Sequence, residues 1–330
     1  MRMALAVLFF AGICTAQTLT TIAGTGAAGA SDGKMDQPYG LGIGPDKALY
    51  YCEIGNHRIS RLDLKTKKTS VVADGQGEPY EIAFSKAGDL FFCDRVKQQV
   101  SKVDRRTKAI TVVAGTGKEG FAGDGGPATE AQFKQPHSIA FTPDQQLLIC
   151  DILNFRIRSL DLATGTISTW AGTGQRGPAP DGAPLTGTPL DGPRALAIDK
   201  AGNYYLALRE GNAIYRLDVK GGRMYRFAGT GEKGFTGDGG DARQAKLSGP
   251  KGVALAPDGS LYIADTENHA IRRVDRNGII TTVAGTGERG DGPDGDPKKA
   301  KLARPHGVFV DAGGVVYIGD SENHRIRILK

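Results

Sequence analysis

Three features that would indicate other classes of protein are missing from this sequence. After residue 16, no run of residues approaches the about 20 apolar residues that a membrane helix needs, so no integral membrane segment is expected. Glycine is abundant, at 48 of 330 residues, but it does not recur with a Gly-X-Y period, which excludes collagen. This much glycine favours short elements joined by tight turns. The net charge is +6, yet no basic block or RNA-binding motif is present, so a nucleic-acid partner is not expected.

The first 16 residues have the pattern of a secretory signal peptide. Arg2 gives a positive start, residues 4–13 form an apolar run, and small residues precede Gln17. The sequence therefore predicts a signal peptide over 1–16, a single mature domain over 17–330, and export to the periplasm or out of the cell. A lipoprotein would instead acylate Cys14, but that motif prefers a small residue where Ile13 stands.

A proline begins a short apolar strand six times along the chain. The spacings between these prolines are 41, 57, 57, 57 and 55 residues. Each of the first five copies continues with a turn and three more short strands, all rich in β-branched or apolar residues and bounded by turn residues. The six prolines are Pro38, Pro79, Pro136, Pro193, Pro250 and Pro305.

Six copies of a four-stranded unit predict an all-β fold, namely a six-bladed β-propeller with four antiparallel strands per blade. The ends of the chain support this prediction. The last copy stops after a third strand at residues 325–329, whereas residues 20–26 form a fourth strand without the other three. We therefore expect the N-terminal strand to complete the last blade and close the ring. A closed ring does not need a partner for stability, so a monomer is expected.

Cysteine is scarce, and its placement does not favour disulfides. Three cysteines remain after the predicted signal peptide, an odd number for a complete disulfide set. Each comes one residue before the acid that ends strand two, where equivalent positions of neighbouring blades are too far apart for a disulfide. Cys52, Cys93 and Cys150 are therefore predicted to be free, buried thiols.

A short motif recurs in the turn between the second and third strands. This motif resembles the NHL repeat, which is named for its Asn-His step. The resemblance covers nearly all of the mature chain and implies a propeller. It does not imply one function, because NHL propellers serve in protein binding, RNA binding and catalysis. The motif stands in three copies as Asn56-His57, Asn268-His269 and Asn323-His324.

One position of the repeat varies in chemistry more than a structural position would. It is the residue after each strand-one proline, and strand one lines the central channel of a propeller. Side chains from this position are expected near one mouth of the channel, where aromatic rings would face cations and imidazoles. The six ligand-binding candidates are Tyr39, Tyr80, His137, Arg194, Lys251 and His306.

Two of these residues support an alternative function. The Pro136-His137 and Pro305-His306 steps resemble those of peptidyl-hydroxyglycine amidating lyase, a six-bladed propeller that takes its zinc ligands from three Pro-His steps. The resemblance implies a metal-dependent lyase or hydrolase with a divalent ion, zinc or calcium, held in the channel by His137 and His306. A catalytic zinc normally has three protein ligands, and this sequence has only two such steps.

Further acidic residues resemble metal ligands. Glu78-Pro79 and Asp191-Gly192-Pro193 are similar to parts of the gluconolactonase-like propellers, whose channel ion is held by Glu, Asn and Asp. Asp-Gly-rich loops at residues 120–126, 234–240 and 291–296 suggest calcium, but they lack the closing Glu and predict ordinary tight turns.

Other repeated polar residues are expected to be architectural. An acid ends strand two in five of the six copies, and we expect it to accept backbone N–H bonds from its own turn. The histidines of the recurring motif are expected to hydrogen-bond between blades. The five acids are Glu53, Asp94, Asp151, Asp265 and Asp320, and the three histidines are His57, His269 and His324.

The function predicted from these patterns is binding rather than catalysis. The loop face and the channel mouth would bind a protein, a peptide or an anionic ligand. Arg194 and Lys251 suit an anionic group, and tyrosine and arginine are typical of interface hot spots. The metal-dependent enzyme is the alternative.

Overall fold

The computed structural model describes residues 17–199 and 201–330, so the predicted signal peptide at 1–16 lies outside the described residues. Six antiparallel sheets form within this part of the chain. The innermost strands of successive sheets contact one another, and the innermost strand of the sixth contacts that of the first. The sheets are therefore the blades of a closed ring, which confirms the six-bladed β-propeller.

The strands follow the repeat that the sequence predicts. The N-terminal strand is β1 (Leu19–Ala23). Blade 1 contains β2 (Pro38–Ile43), β3 (Leu49–Glu53), β4 (Arg58–Leu62) and β5 (Thr69–Ala73). Blade 2 contains β6 (Pro79–Phe84), β7 (Leu90–Asp94), β8 (Gln99–Val103) and β9 (Ile110–Ala114). Blade 3 contains β10 (Pro136–Phe141), β11 (Leu147–Asp151), β12 (Arg156–Asp161) and β13 (Thr166–Ala171).

The second half of the ring has one addition to the four-stranded pattern. Blade 4 adds the two-residue strand β14 (Ala183–Pro184) to β15 (Pro193–Ile198), β16 (Tyr204–Leu208), β17 (Ala213–Asp218) and β18 (Arg223–Ala228). Blade 5 contains β19 (Gly252–Leu255), β20 (Leu261–Asp265), β21 (Ala270–Val274) and β22 (Ile280–Ala284). Blade 6 contains β23 (Gly307–Val310), β24 (Val316–Asp320) and β25 (Arg325–Leu329).

Short 3-10 helices are the only helices in the described residues. Two lie in the long loops before strand one, and three lie in the turn after strand two. They span Ala128–Glu130, Ile152–Asn154, Ala242–Gln244, Thr266–Asn268 and Ser321–Asn323. No helix in these parts of the chain is long and apolar enough to cross a membrane.

The N-terminal strand closes the ring. Strand β1 pairs antiparallel with β25, with Leu19 opposite Leu329, and the Thr18 N–H donates to the Lys330 carbonyl at 2.8 Å. Leu19 is fully buried, and the Thr21 hydroxyl donates to Asp294 at 2.8 Å. Blade 6 therefore gains its fourth strand from the other end of the chain, as predicted.

The core lies between neighbouring blades. The second strands of blades 2 to 6 are buried at every position because both faces of these sheets are covered by adjacent blades. The three cysteines lie in this core, and all are free and buried, as predicted. Burial raises the pKa of these thiols above the ordinary value, so the thiol form is favoured.

The acids that end strand two hold the loop that leads into strand one. Asp151 accepts from the Lys134 N–H at 2.7 Å and from the Asn154 side-chain amide at 2.7 Å. Asp265 and Asp320 repeat this pattern with Ser248 and Ala303. Asp94 alone among these four also accepts a backbone N–H from its own turn. The role of these acids is architectural, as expected. Most of the backbone N–H groups that they bind, however, belong to the loop before strand one and not to the acid's own turn.

The motif histidines hydrogen-bond between blades, as predicted. Nδ1 of His269 accepts from the Arg304 N–H of the next blade at 3.1 Å. Gln98 and Asn212 hold the same left-handed turn position in other blades and accept equivalent bonds from Gln135 and Gly249. Phe155 holds this position at the seam between blades 3 and 4 and has no side-chain acceptor.

Buried arginines fasten the Asp-Gly-rich loops. Arg272 donates to Asp238 of the loop at 2.7 Å and to Asp265 at 3.3 Å. Arg158 and Arg327 make corresponding ion pairs with Asp124 and Asp291. Each central loop acid thus faces a guanidinium, which links the loop to strand three of its blade.

Candidate functional site

The ring geometry brings the six variable residues together at one end of the channel. Each follows the proline at the start of strand one, so each blade contributes one side chain at the same height. Tyr80 is partly exposed, and the other five are at most 7 % exposed. These side chains therefore fill the mouth of the channel on the face of the long loops. We call Tyr39, Tyr80, His137, Arg194, Lys251 and His306 the mouth cluster.

Four aromatic rings of the mouth cluster form an arc across blades 6, 1, 2 and 3. His306 stacks on Tyr39 with ring centroids 3.9 Å apart and an angle of 15° between the planes. Tyr39 meets Tyr80 edge to face at 4.8 Å, and Tyr80 meets His137 in the same way at 4.6 Å. These contacts hold each ring in one orientation. Both cations of the cluster come from blades 4 and 5.

Lys251 links the aromatic arc to the charged rim of the mouth. Its ammonium donates to Glu267 at 2.8 Å and lies 3.3 Å from Nε2 of His306. Burial lowers the pKa of Lys251 to about 8, although the Glu267 carboxylate acts in the opposite direction. Burial would raise the pKa of Glu267, but hydrogen bonds from Lys251 and Arg304 hold it at about 2.

Both histidines of the cluster are neutral near pH 7. Burial lowers their pKa well below the ordinary value; the Arg194 charge acts in the same direction on both, and the Lys251 charge does so on His306. Nδ1 of His137 lies 2.7 Å from the Gln135 carbonyl, and Nδ1 of His306 lies 2.8 Å from the Arg304 carbonyl. Nδ1 therefore donates in each ring, which leaves Nε2 as an acceptor. In His306 this acceptor faces the Lys251 ammonium.

Arg194 is a buried cation without a partner. Its guanidinium carbon lies 5.3 Å from the centroid of the Tyr80 ring, and the residue is 3 % exposed. Among the described residues, it forms neither a hydrogen bond nor an ion pair within 4 Å. The buried Arg158 and Arg272, in contrast, each face two carboxylates. A buried charge without a partner is costly, so Arg194 is suited to receive an anion.

The histidine pair does not fit a divalent cation. His306 presents its free nitrogen to an ammonium group, and the Arg194 charge acts on both imidazoles. Glu78 and Asp191, the two acids similar to gluconolactonase ligands, pair with Arg95 and Arg176 at 2.6 Å each. Over residues 17–199 and 201–330, no group of three His, Cys, Asp or Glu side chains is placed to hold a metal ion.

Sequence reasoning missed Glu81, which lies directly below the mouth cluster on β6. Its Oε1 atom accepts from the Ile82 N–H at 3.1 Å, and a Cβ at Gly40 would collide with its carboxyl group. Burial raises the pKa of Glu81 to about 7, with Arg194 acting in the opposite direction. A signal was present in the aligned repeats. The same position holds only small residues in the other five copies, namely Gly40, Ser138, Ala195, Gly252 and Gly307.

Comparison with known families agrees with this architecture. Residues 302–329 match the NHL repeat, and residues 224–290 match the Teneurin NHL domain. With six NHL-type blades in a closed ring, the chain belongs to the NHL-repeat β-propellers.

Curated relatives contain this unit as one part of a longer chain. The chain is 29 % identical over 229 residues to Protein SUPPRESSOR OF QUENCHING 1, chloroplastic, from Arabidopsis thaliana, covering 65 % of this chain and 21 % of that protein. It is 28 % identical over 233 residues to NHL repeat-containing protein 2 from Bos taurus, covering 61 % and 32 %. The chain thus matches about a fifth to a third of these relatives' lengths.

Solved structures share the fold at low sequence identity. A structure described as an auxiliary nutrient binding protein from Bacteroides thetaiotaomicron has a TM-score of 0.73 and 20 % identity, covering 95 % of this chain and 76 % of that chain. A gluconolactonase from Xanthomonas campestris has a TM-score of 0.63 and 13 % identity, covering 94 % and 88 %. At these identities the likeness concerns the propeller architecture.

Proposed function

We propose that this protein is a ligand-binding propeller that takes a carboxylate-bearing ligand at the mouth cluster. The observation that carries the proposal is the buried Arg194 guanidinium, which has no anionic partner among the described residues. A guanidinium presents a planar fork of donors that matches a carboxylate in a bidentate arrangement. The ligand's charge would supply the partner that Arg194 lacks.

The neighbours of Arg194 favour an anion over a cation. Lys251 adds a second positive charge to the cluster and has a pKa of about 8, so it is mostly protonated near pH 7. The neutral His137 retains an acceptor and its ring packs against Tyr80. Tyr80 is the partly exposed member of the cluster and lies between Arg95 and Arg194, whose guanidinium carbons are each 5.3 Å from its ring centroid. The ligand would approach along this ring.

The arrangement supports binding more than chemistry. The positive charges of Arg194 and Lys251 beside the two imidazoles disfavour a divalent ion there, so a metal-dependent lyase or hydrolase is not proposed. The rim around the cluster consists of ion pairs such as Arg95–Glu78 and Arg304–Glu267. Such a rim is typical of a polar border around a binding site.

We also propose that the binding domain spans 17–330 and acts after export. This rests on the predicted signal peptide at 1–16. Mass spectrometry of the protein secreted or released from its native host would find Gln17 as the first residue. An intact Met1 start in the mature protein would contradict export by this route.

Thermal unfolding in the presence of small anions tests the binding proposal. Acetate, succinate and inorganic phosphate would be compared with chloride at equal ionic strength. Acetate and succinate should raise the unfolding temperature of the unmodified protein, since a ligand that binds only the folded state stabilises it. Arg194→Gln should abolish this effect.

Arg216 provides the matched control. Its guanidinium lies 5.4 Å from the Tyr225 ring centroid, the same pairing as Arg194 and Tyr80, but on the exposed surface of blade 4. Arg216→Gln should leave the carboxylate effect unchanged. An equal response in all three proteins would show that the carboxylates act on the general surface, and the proposal would fail.

A further inference from the structure

The opposite end of the channel is an open cavity of a different character. It has a volume of about 680 Å³ and is lined by the later halves of the six innermost strands. Its wall contains a ring of branched aliphatic side chains, one from each blade, three residues after each strand-one proline. They are Leu41, Ile82, Ile139, Leu196, Val253 and Val308.

A second apolar ring surrounds the opening. Phe84, Phe141 and Ile198 belong to it, and all three are partly exposed to the cavity. Soluble chains seldom leave a concave apolar surface of this kind uncovered without a ligand or partner for it. The volume lies in the range of small-molecule pockets, which are mostly apolar with a few polar groups.

The charged groups of this cavity are all acidic. The described residues that line it include Glu81, Asp199 and Asp311, and no Lys, Arg or His. Asp199 and Asp311 already accept backbone N–H bonds within their own turns at 2.8 Å each. Glu81 has one carboxylate oxygen bonded to the Ile82 N–H and its other oxygen without a partner among the described residues. Glu81 is therefore the group available to a ligand.

We propose that this cavity is a second binding site, for a small molecule with an apolar body and a cationic amine head that pairs with Glu81. The aliphatic rings would enclose the body, and the acidic lining would favour the positive head. Glu81 lies at the inner end of this cavity, directly below the cationic mouth cluster, and the Arg194 charge acts on its carboxyl group. The two ends would thus select ligands of opposite charge.

Fluorescence titration with 1-naphthylmethylamine tests the proposal, with 1-naphthalenemethanol as the neutral probe of the same shape. The amine should bind more tightly than the alcohol to the unmodified protein. Glu81→Gln should weaken amine binding at least about tenfold, as expected for the loss of a buried charge pair, and should leave alcohol binding unchanged. Glu119→Gln, at an exposed ion pair with Lys134, is the matched control and should bind both probes normally.

The pH dependence gives a second readout at the same carboxyl group. Amine binding should strengthen from pH 6 to pH 8 because Glu81 ionises in this interval. The groups whose charge couples to Glu81 are Arg194 and the thiols Cys52, Cys93 and Cys150, and the thiols stay neutral here. Ala140→Trp, which fills the cavity, should abolish binding of both probes. Amine binding that survives both Glu81→Gln and Ala140→Trp, or no amine binding at all, would overturn the proposal.

Discussion

The guanidinium of Arg194 lies over the ring of Tyr80, 5.3 Å from its centroid, and no carboxylate oxygen of the described residues lies within 4.0 Å of it. The strand-three arginines Arg158 and Arg272 are buried as deeply, yet each has two acidic neighbours. The fold therefore uses buried arginine in two ways. Arg158 and Arg272 hold surface loops through ion pairs, whereas Arg194 places an unpaired cation in the channel mouth.

This difference predicts opposite effects of removing the two kinds of arginine. Arg272→Met leaves Asp238 and Asp265 without their cation, and should destabilise the protein by about 3 kcal/mol or more. Arg194→Met removes a charge that has no partner and should leave stability unchanged or raise it. Urea unfolding at pH 7 measures both. A loss at Arg194 as large as that at Arg272 would show that Arg194 is a structural residue.

The pKa of Lys251 predicts how anion binding depends on pH. Its folded-state value of about 8 lies below the ordinary 10.5, so the ammonium loses its proton as the pH rises through 8. Carboxylate-induced stabilisation should therefore decline between pH 7 and pH 9. In Lys251→Met the effect should be weaker and nearly independent of pH over this interval. Glu267, Arg304, Arg194 and His306 also face this amine, and the shifted pKa values of Glu267, Arg304 and His306 lie outside this range.

Glu81 makes a separate contribution to stability that depends on pH. Its pKa rises from the ordinary 4.5 to about 7 in the folded state, so folding favours the protonated form. The stability that it contributes is complete below pH 4.5 and is lost as the pH rises through 7. Relative to the unmodified protein, Glu81→Gln should gain up to about 3 kcal/mol on going from pH 4.5 to pH 8. Unfolding curves that shift in parallel at both pH values would contradict the assignment.

How far the sequence predicts the structure depends on whether a feature repeats. Six prolines at regular spacing were sufficient for the blades, the ring closure by β1 and the meeting of the mouth cluster. The free cysteines and the bonds of His269 and His324 between blades were also predictable, because each occupies a repeated position.

Features that depend on packing between distant segments were not predictable. The pairing of Arg272 with Asp238 joins a strand to a loop 34 residues earlier. The burial of Tyr39 depends on its stacking against His306 from the last blade. The sequence placed Tyr39, Arg194 and Lys251 near one mouth of the channel, but it did not indicate that they would be almost fully buried there. The repeat identified the chemical types of these residues but not the extent of their burial.

The seam between blades 3 and 4 offers a stabilising substitution. Phe155 has a left-handed backbone conformation with φ of 49°, which Asn adopts more readily than Phe. At the equivalent position, Asn212 accepts the Gly249 N–H of the next blade at 3.0 Å. Phe155→Asn should restore such a bond, to Gly192, and raise stability by about 1 kcal/mol. Asn212→Phe is the reverse control and should lower stability in the same unfolding measurement.

Crystallography with a heavy-atom carboxylate tests the central claim most directly. Crystals grown with 4-bromobenzoate would locate the bromine by its anomalous signal. The account predicts a carboxylate bound to the Arg194 guanidinium with its aromatic ring near Tyr80, and no such density in crystals of Arg194→Gln. Bromobenzoate bound only at exposed lysines and arginines, with Arg194 still without a partner, would contradict the assignment of the mouth cluster as an anion site.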